Sequence, residues 1–95
     1  MFYFVYILRS NSNELYVGQT SNLLHRISQQ ENKNIKAAKF VKDGEEFRLE
    51  YYEKYPSRID AIRRERQIKG WTRAKKEALI DGNIKLLKRL SKMKS

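Results

Sequence analysis

Glu65 stands where a carboxylate is least at home. At about 100° per residue, a helix starting at Arg58 places Ile59, Ala61, Ile62 and Ile68 in one apolar arc, and Glu65 falls inside it. A buried carboxylate is costly unless it is paired or holds a metal. A salt bridge to one of the abundant arginines is the commoner outcome. The chemical alternative is a hard cation held by one carboxylate, waters and the phosphate oxygens of a substrate. Arg26 lies at the edge of the stripe made by Leu23, Leu24 and Ile27. There it either covers the stripe with its aliphatic stem or aims its planar fork at a phosphate. Tyr6 and Tyr16 sit in two runs of strand character, "FYFVYIL" and "ELYVGQT". Packing is the ordinary task of either one. An odd number of turn residues would set them opposite each other, and an even number would offset them by one. Gly18, inside the second run, gives up a packing side chain for a close approach or a bulge.

The elements that must position these residues follow from pattern and punctuation. "FYFVYIL" reads as a strand buried on both faces, and "SNSN", residues 10 to 13, is turn chemistry, so "ELYVGQT" returns as the second strand of a hairpin. Thr20, Ser21 or Asn22 caps the helix "NLLHRISQQE". Residues 32 to 46 are polar and Lys-rich and read as a loop, before a third strand "FRLEYYE" over 47 to 53. Pro56 ends that strand, and Ser57 with Asp60 resembles a capping box for a helix from Arg58 to Lys69, closed by Gly70 as its C′ residue. Thr72 caps "RAKKEALI", "DGN" stops it, and "IKLLKRLSK" forms a last basic helix. The order ββαβααα predicts an α+β fold in which helices flank a small antiparallel three-stranded sheet.

Ninety-five residues suit one small domain, residues 1–82, with 83–95 as a basic helix extending it. There is no cysteine, which excludes disulfides and thiolate metal sites, and the single histidine, His25, cannot make a His-based one. No Gly-rich phosphate loop, Ser-His-Asp set or zinc spacing is present. No signal peptide or membrane-length apolar run is seen, so the chain reads as soluble and cytoplasmic. Charge is the strongest bulk signal: residues 1–53 hold seven Lys/Arg against seven Asp/Glu, while 54–95 hold fourteen against four, so the net +10 belongs to the C-terminal part. This is either a solvated basic face or a footprint for a polyanion, with nucleic acid favoured over a membrane surface. Trp71, beside that charge, either packs or stacks on a base.

Taken in order, "FVYIL", "LYVGQT" about ten residues later and an arginine on the next helix resemble the GIY-YIG nuclease family. Phe4-Val5-Tyr6 stands at its first triplet and Tyr16-Val17-Gly18 at its second, Arg26 matches its catalytic arginine, and Glu65 matches its metal-binding glutamate. "AIRRERQIKGWTRAKKEALI" is similar to small stand-alone bacterial members, and the resemblance runs from residue 2 to about 82. It implies that water attacks a phosphodiester, with Tyr6 or Tyr16 as general base and Arg26 stabilising the charge that develops. Glu65 would hold Mg²⁺ or Mn²⁺. Lys36, Lys39, Arg64, Lys69 and Arg73 would contact the nucleic acid, DNA rather than RNA, in repair or processing. The chain departs from the pattern at Phe4, where the family has glycine, at Gln30, where many relatives have histidine, and at Lys39-Phe40-Val41, where Lys-Tyr-Thr is common. Asn83 is a loose match to an asparagine that assists some relatives. A binding module of the same fold without catalysis, motivated by Gln30 and Phe40, and a protein-interaction adaptor are the rival readings.

Overall fold

The computed structural model describes residues 1–22, 39–42 and 44–92, of which 39–42 by backbone alone. Four strands, β1 (Tyr3–Ser10), β2 (Leu15–Thr20), β3 (Lys39–Lys42) and β4 (Glu45–Tyr55), precede three helices, α1 (Arg58–Lys69), α2 (Arg73–Ile80) and α3 (Ile84–Lys92). The helix expected over 22–31, and with it Arg26, Gln30 and Lys36, lies outside the described residues. The strands form one antiparallel sheet in the order β2-β1-β4-β3, and the α+β class is as expected. The three expected strands are the adjacent β2, β1 and β4. Lys39–Lys42 adds an edge strand within the segment read as a loop, and Gly44 at φ 77° turns it into β4 with Lys42 opposite Glu45. A charged four-residue strand needs only one neighbour and lacks the apolar alternation that reveals longer ones.

Period-two alternation gives β1 two different faces. Val5 and Ile7 point to one side, where they are fully buried with Ala61 and Ile68 of α1 and with Leu79 of α2. Leu15 and Val17 of β2 and Tyr51 and Tyr55 of β4 pack around this cluster. Burying each of the larger aliphatic side chains is worth about 1.5–3 kcal/mol. On the other face Phe4 and Leu49 are buried, while Tyr16 and Tyr52 are partly exposed. Ile59 does not join the buried side of α1 but is 62% exposed, because at about 100° per residue it projects about 180° away from Ile68 and far from Ala61.

The helix ends differ from their sequence signatures. Ser57 makes no side-chain cap bond, and Gly70 is right-handed at φ −79°, so the expected capping box and left-handed C′ glycine are both absent at α1. Thr72 does cap α2, accepting from the Lys75 N–H. Gly82, at φ 68°, makes the left-handed stop after it.

Helix α1 is tied to the sheet by one carboxylate. Glu53 accepts from Arg64 Nε at 2.9 Å and Nη2 at 3.0 Å, from the Tyr55 hydroxyl at 2.7 Å, and from the Tyr51 hydroxyl. Burial pushes the Glu53 carboxyl up, but the donors from Arg64, Tyr51 and Tyr55 outweigh it and hold it below its ordinary 4.5. Burial first, and Glu53 second, push the Tyr55 phenol up from 10.0 to about 12. A depressed carboxyl stabilises the fold above its unfolded value and loses that contribution as pH falls through the folded one. A raised phenol stabilises below its unfolded value and loses that contribution as pH rises through the folded one. The urea midpoint should therefore fall on the acid side below the ordinary carboxylate value, and on the alkaline side from pH 10 towards 12. Glu53→Gln should flatten the acid limb and cost about 2 kcal/mol, less than the ~3–5 of fully buried pairs.

Candidate active site at the hairpin edge

The hairpin register sets Tyr6 opposite Gly18 and Leu8 opposite Tyr16. The two tyrosines therefore share a face as diagonal neighbours, neither opposite nor offset by one. The connecting turn is odd, as Ser10 N donates to Glu14 O at 2.9 Å, but it centres on Ser12 instead of Asn11. The register explains Gly18. A Cβ placed there would stand 2.5 Å from Tyr6 Oη and 2.7 Å from Cζ. Any side chain there would force the phenol to shift, so the glycine of one triplet is the seat of the tyrosine of the other. Strand β2 is a sheet edge, which brings the Tyr6 hydroxyl to the margin of the sheet.

Tyr16 is positioned from two sides. Its ring meets Phe47 edge-on at 5.2 Å between centroids, and its hydroxyl donates to Glu14 Oε2 at 2.5 Å. Glu14, two residues earlier on the same face, raises the Tyr16 phenol above its ordinary 10.0, first through that hydrogen bond. Nothing in the sequence reading singled out Glu14; the signal was its i, i+2 spacing to Tyr16 along a strand.

Glu65 lies between Ala61 and Ile68 on the stripe of α1 that faces β1 and β2. Its side chain is only 18% exposed, and Lys69 Nζ approaches Oε2 at 3.7 Å. Among the described residues no other cation or donor reaches it, and no hydrogen bond joins it to either tyrosine. The tyrosines and Glu65 thus sit on opposite faces of the hairpin, with edge strand β2 common to both. Among the described residues no group of three acidic, His or Cys side chains forms an all-protein cation cage. A shielded carboxylate with open acceptor capacity fits the other kind of site, in which waters and substrate phosphate complete the shell of a hard cation.

The basic residues expected at the nucleic acid divide by their partners. Arg64 is bound to Glu53, donates to Gln67 at 2.8 Å, and stands 5.1 Å from the Trp71 ring centroid. Arg73 donates to the Asn13 carbonyl at 2.6 Å and to Glu77 at 3.3 Å. Lys69 faces Glu65 and remains 55% exposed. Lys39 contributes backbone to β3, and its side chain, like Lys36 and Arg26, lies outside the described residues. Sequence reasoning also missed Arg9. It bonds Glu50 at 2.8 Å and Glu77 at 2.5 Å, pinning α2 to the sheet where a bulge inserts Glu50 into β4.

The model of the GIY-YIG catalytic domain matches residues 2–78. The chain belongs to the GIY-YIG family. A UPF0213 protein of Staphylococcus epidermidis is 35% identical over 78 residues, covering 82% of this chain and 93% of that protein. One from Natronomonas pharaonis is 33% identical over 78 residues, covering 82% and 89%. The solution NMR structure of a UPF0213 protein from Bacillus halodurans covers 85% of this chain and 84% of its own, at 33% identity and a TM-score of 0.56. This GIY-YIG domain thus joins a family of nucleases that act on nucleic acid.

In the GIY-YIG hairpin, Gly18→Ala should cost about 1–3 kcal/mol in urea unfolding, as overpacking does. Most of that cost should disappear in a Tyr6→Leu background, giving a positive coupling in the double-mutant cycle. Glu14→Gln should lower the Tyr16 phenol towards 10.0 in an NMR-followed titration. An unmoved titration would mean that Glu14 does not hold that proton.

Proposed function

We propose that this GIY-YIG protein is a metal-dependent endonuclease hydrolysing phosphodiester bonds in DNA or, as the less favoured alternative, RNA, and that it works in cytoplasmic DNA repair or processing. The observation that supports this most is the interlock of Tyr6 on Gly18. It ties the two triplets into one arrangement and holds a phenol at the sheet margin, where a backbone phosphate can approach. So small a surface offers few groups for reading bases, so little sequence specificity is expected. Among the described residues no helix is long and apolar enough to cross a membrane.

Tyr6 is assigned as the base that takes the proton of the attacking water. Tyr16 is the poorer base because its own proton is committed to Glu14 and its phenol is raised. Tyr16 instead presents the face on which substrate rests, braced by Phe47. Arg26 is assigned to the charge that develops on the phosphoryl oxygens. Glu65 would hold Mg²⁺ or Mn²⁺, and the bound cation would polarise the phosphate and carry the water that protonates the leaving oxygen. Lys69 neutralises Glu65 when no cation is bound, so the carboxylate is never an uncompensated charge.

A nucleic-acid-binding module without catalysis is the second reading. It is favoured by the ammonium of Lys69 standing against the one available carboxylate, and by Gln30 and Phe40 in place of the residues common among relatives.

A labelled DNA substrate should be cut in Mg²⁺ or Mn²⁺ and spared when the cation is chelated. Arg26→Ala and Glu65→Ala should each lower cleavage by about 10²-fold or more, with native circular dichroism. Tyr6→Phe should be as damaging, and Tyr16→Phe less so. Undiminished cleavage in both the Arg26 and Glu65 variants would sink the site assignment. Salt-sensitive binding without cleavage in any divalent cation would establish the second reading.

A further inference from the structure

An open depression of about 420 Å³ lies between α1 and α3 around Trp71, lined by Arg64, Trp71, Ile84, Leu87, Lys88 and Lys92. That volume is within the roughly 300–1,000 Å³ of small-molecule sites. We propose that it seats an unpaired nucleobase, making α3 and Trp71 a docking site for single-stranded nucleic acid. The proposal rests on nucleic acid being the partner of the nuclease site and deepens that reading to a strand class.

Trp71 is half-buried, packed against the core cluster on one side and open to the cavity on the other. Two cations stand near its ring, the Arg64 guanidinium carbon 5.1 Å and Lys75 Nζ 5.9 Å from its centroid. Arg64 cannot swing away freely, because Glu53 and Gln67 fix its guanidinium. Aromatic and guanidinium planes that are already fixed cost little ordering when a base stacks on them. Leu87 and Ile84 supply an aliphatic wall, and Ile84 is 52% exposed. The rim is cationic, with Arg64, Lys88 and Lys92 lining it, and α3 carries Lys85 and Arg89 besides and has no acidic residue in its first turn. A flat apolar seat inside a positive rim suits a flat ring joined to a negative phosphate. A duplex keeps its bases stacked inside and offers nothing to enter the cavity, so the fit is to single strands, flaps or gaps.

Trp71 is the only tryptophan, so its fluorescence reports the cavity directly. The chain is titrated in chelator at low salt with oligothymidylate, with a blunt duplex of equal length, and with anionic phospholipid vesicles. The single strand should quench and shift Trp71 emission, and the duplex should not. Lys88→Gln with Lys92→Gln keeps the fluorophore. It should weaken single-strand binding and reduce the slope of log affinity against log salt by about 1.4, two contacts at about 0.7 each. By anisotropy of a labelled oligonucleotide, Trp71→Leu should bind about tenfold or more weakly, and Trp71→Phe should recover most of the loss. Equal quenching by duplex and single strand, quenching by vesicles alone, or an unchanged salt slope in the double variant would overturn the proposal. Chelator keeps this readout apart from catalysis. Quenching without metal-dependent cleavage leaves the seat standing and removes the nuclease reading, whereas cleavage without quenching does the reverse.

Discussion

The register of the β1–β2 hairpin decides which side chains meet, and it is set by the turn between Ser10 and Glu14. Ser10 is buried, and its hydroxyl receives the Glu14 N–H at 3.1 Å and pairs with the Ser12 hydroxyl at 2.8 Å. Its backbone carbonyl receives the Asn13 N–H at 2.9 Å, and Asn13 takes the left-handed conformation at φ 67° that closes the turn. Because side chains alternate with period two, a slip of one residue would turn Leu15 and Val17 away from the core and bring Tyr16 and Gly18 to the helix side. The core and the candidate site therefore share one constraint. The same pairing that lets Val5 and Ile7 meet α1 also lays the phenol of Tyr6 across Gly18.

What could be read from the chain followed from local rules. The first two strands, the turn, the α1 boundaries and the Thr72 cap depend on residues within a few positions of each other, and these were legible. Gly18 was legible as an anomaly but not as a seat, because its reason is a side chain twelve positions away in sequence and opposite in space. Glu53 was unreadable for the same reason. In "YYEKY" it looks like one more charge on a strand, yet strand alternation puts it between Tyr51 and Tyr55, and only tertiary packing adds Arg64. Ile59 was misread because the apolar arc is about half a turn wide and Ile59 stands at its far end, whereas α1 buries the end that carries Ala61 and Ile68.

The arginines show how a basic chain avoids repelling itself apart. Arg9 and Arg64 are mostly shielded from solvent, Arg9 against three carboxylate oxygens and Arg64 against two, and each fastens a helix to the sheet. Paired this way they repay part of the desolvation that an isolated buried charge would suffer, and the bidentate geometry orients both partners. The hydrogen bonds from Arg9 hold the Glu77 carboxyl below its ordinary 4.5, against burial, which pushes it up. Charge that looks in the sequence like a footprint for phosphate is, at these positions, internal structure.

That division leaves the phosphate-facing charge elsewhere. Once Arg9, Arg64 and Arg73 are committed to Glu50, Glu53, Glu77 and the Asn13 carbonyl, the helix cations left with free reach among the described residues lie on exposed surface, most densely on α3. The family match ends at residue 78 and α3 begins at Ile84, so this surface lies beyond the part of the chain that carries the signature residues. The groups assigned to chemistry and the groups free to grip a backbone thus occupy different stretches of sequence, joined through Arg64, which touches both Glu53 under the sheet and Trp71 beneath α3. Leu86, Leu87 and Leu90 of α3 are half-buried, Leu87 against the core cluster, so folding accounts for the apolar face of this helix and leaves its basic face to solvent or to a partner.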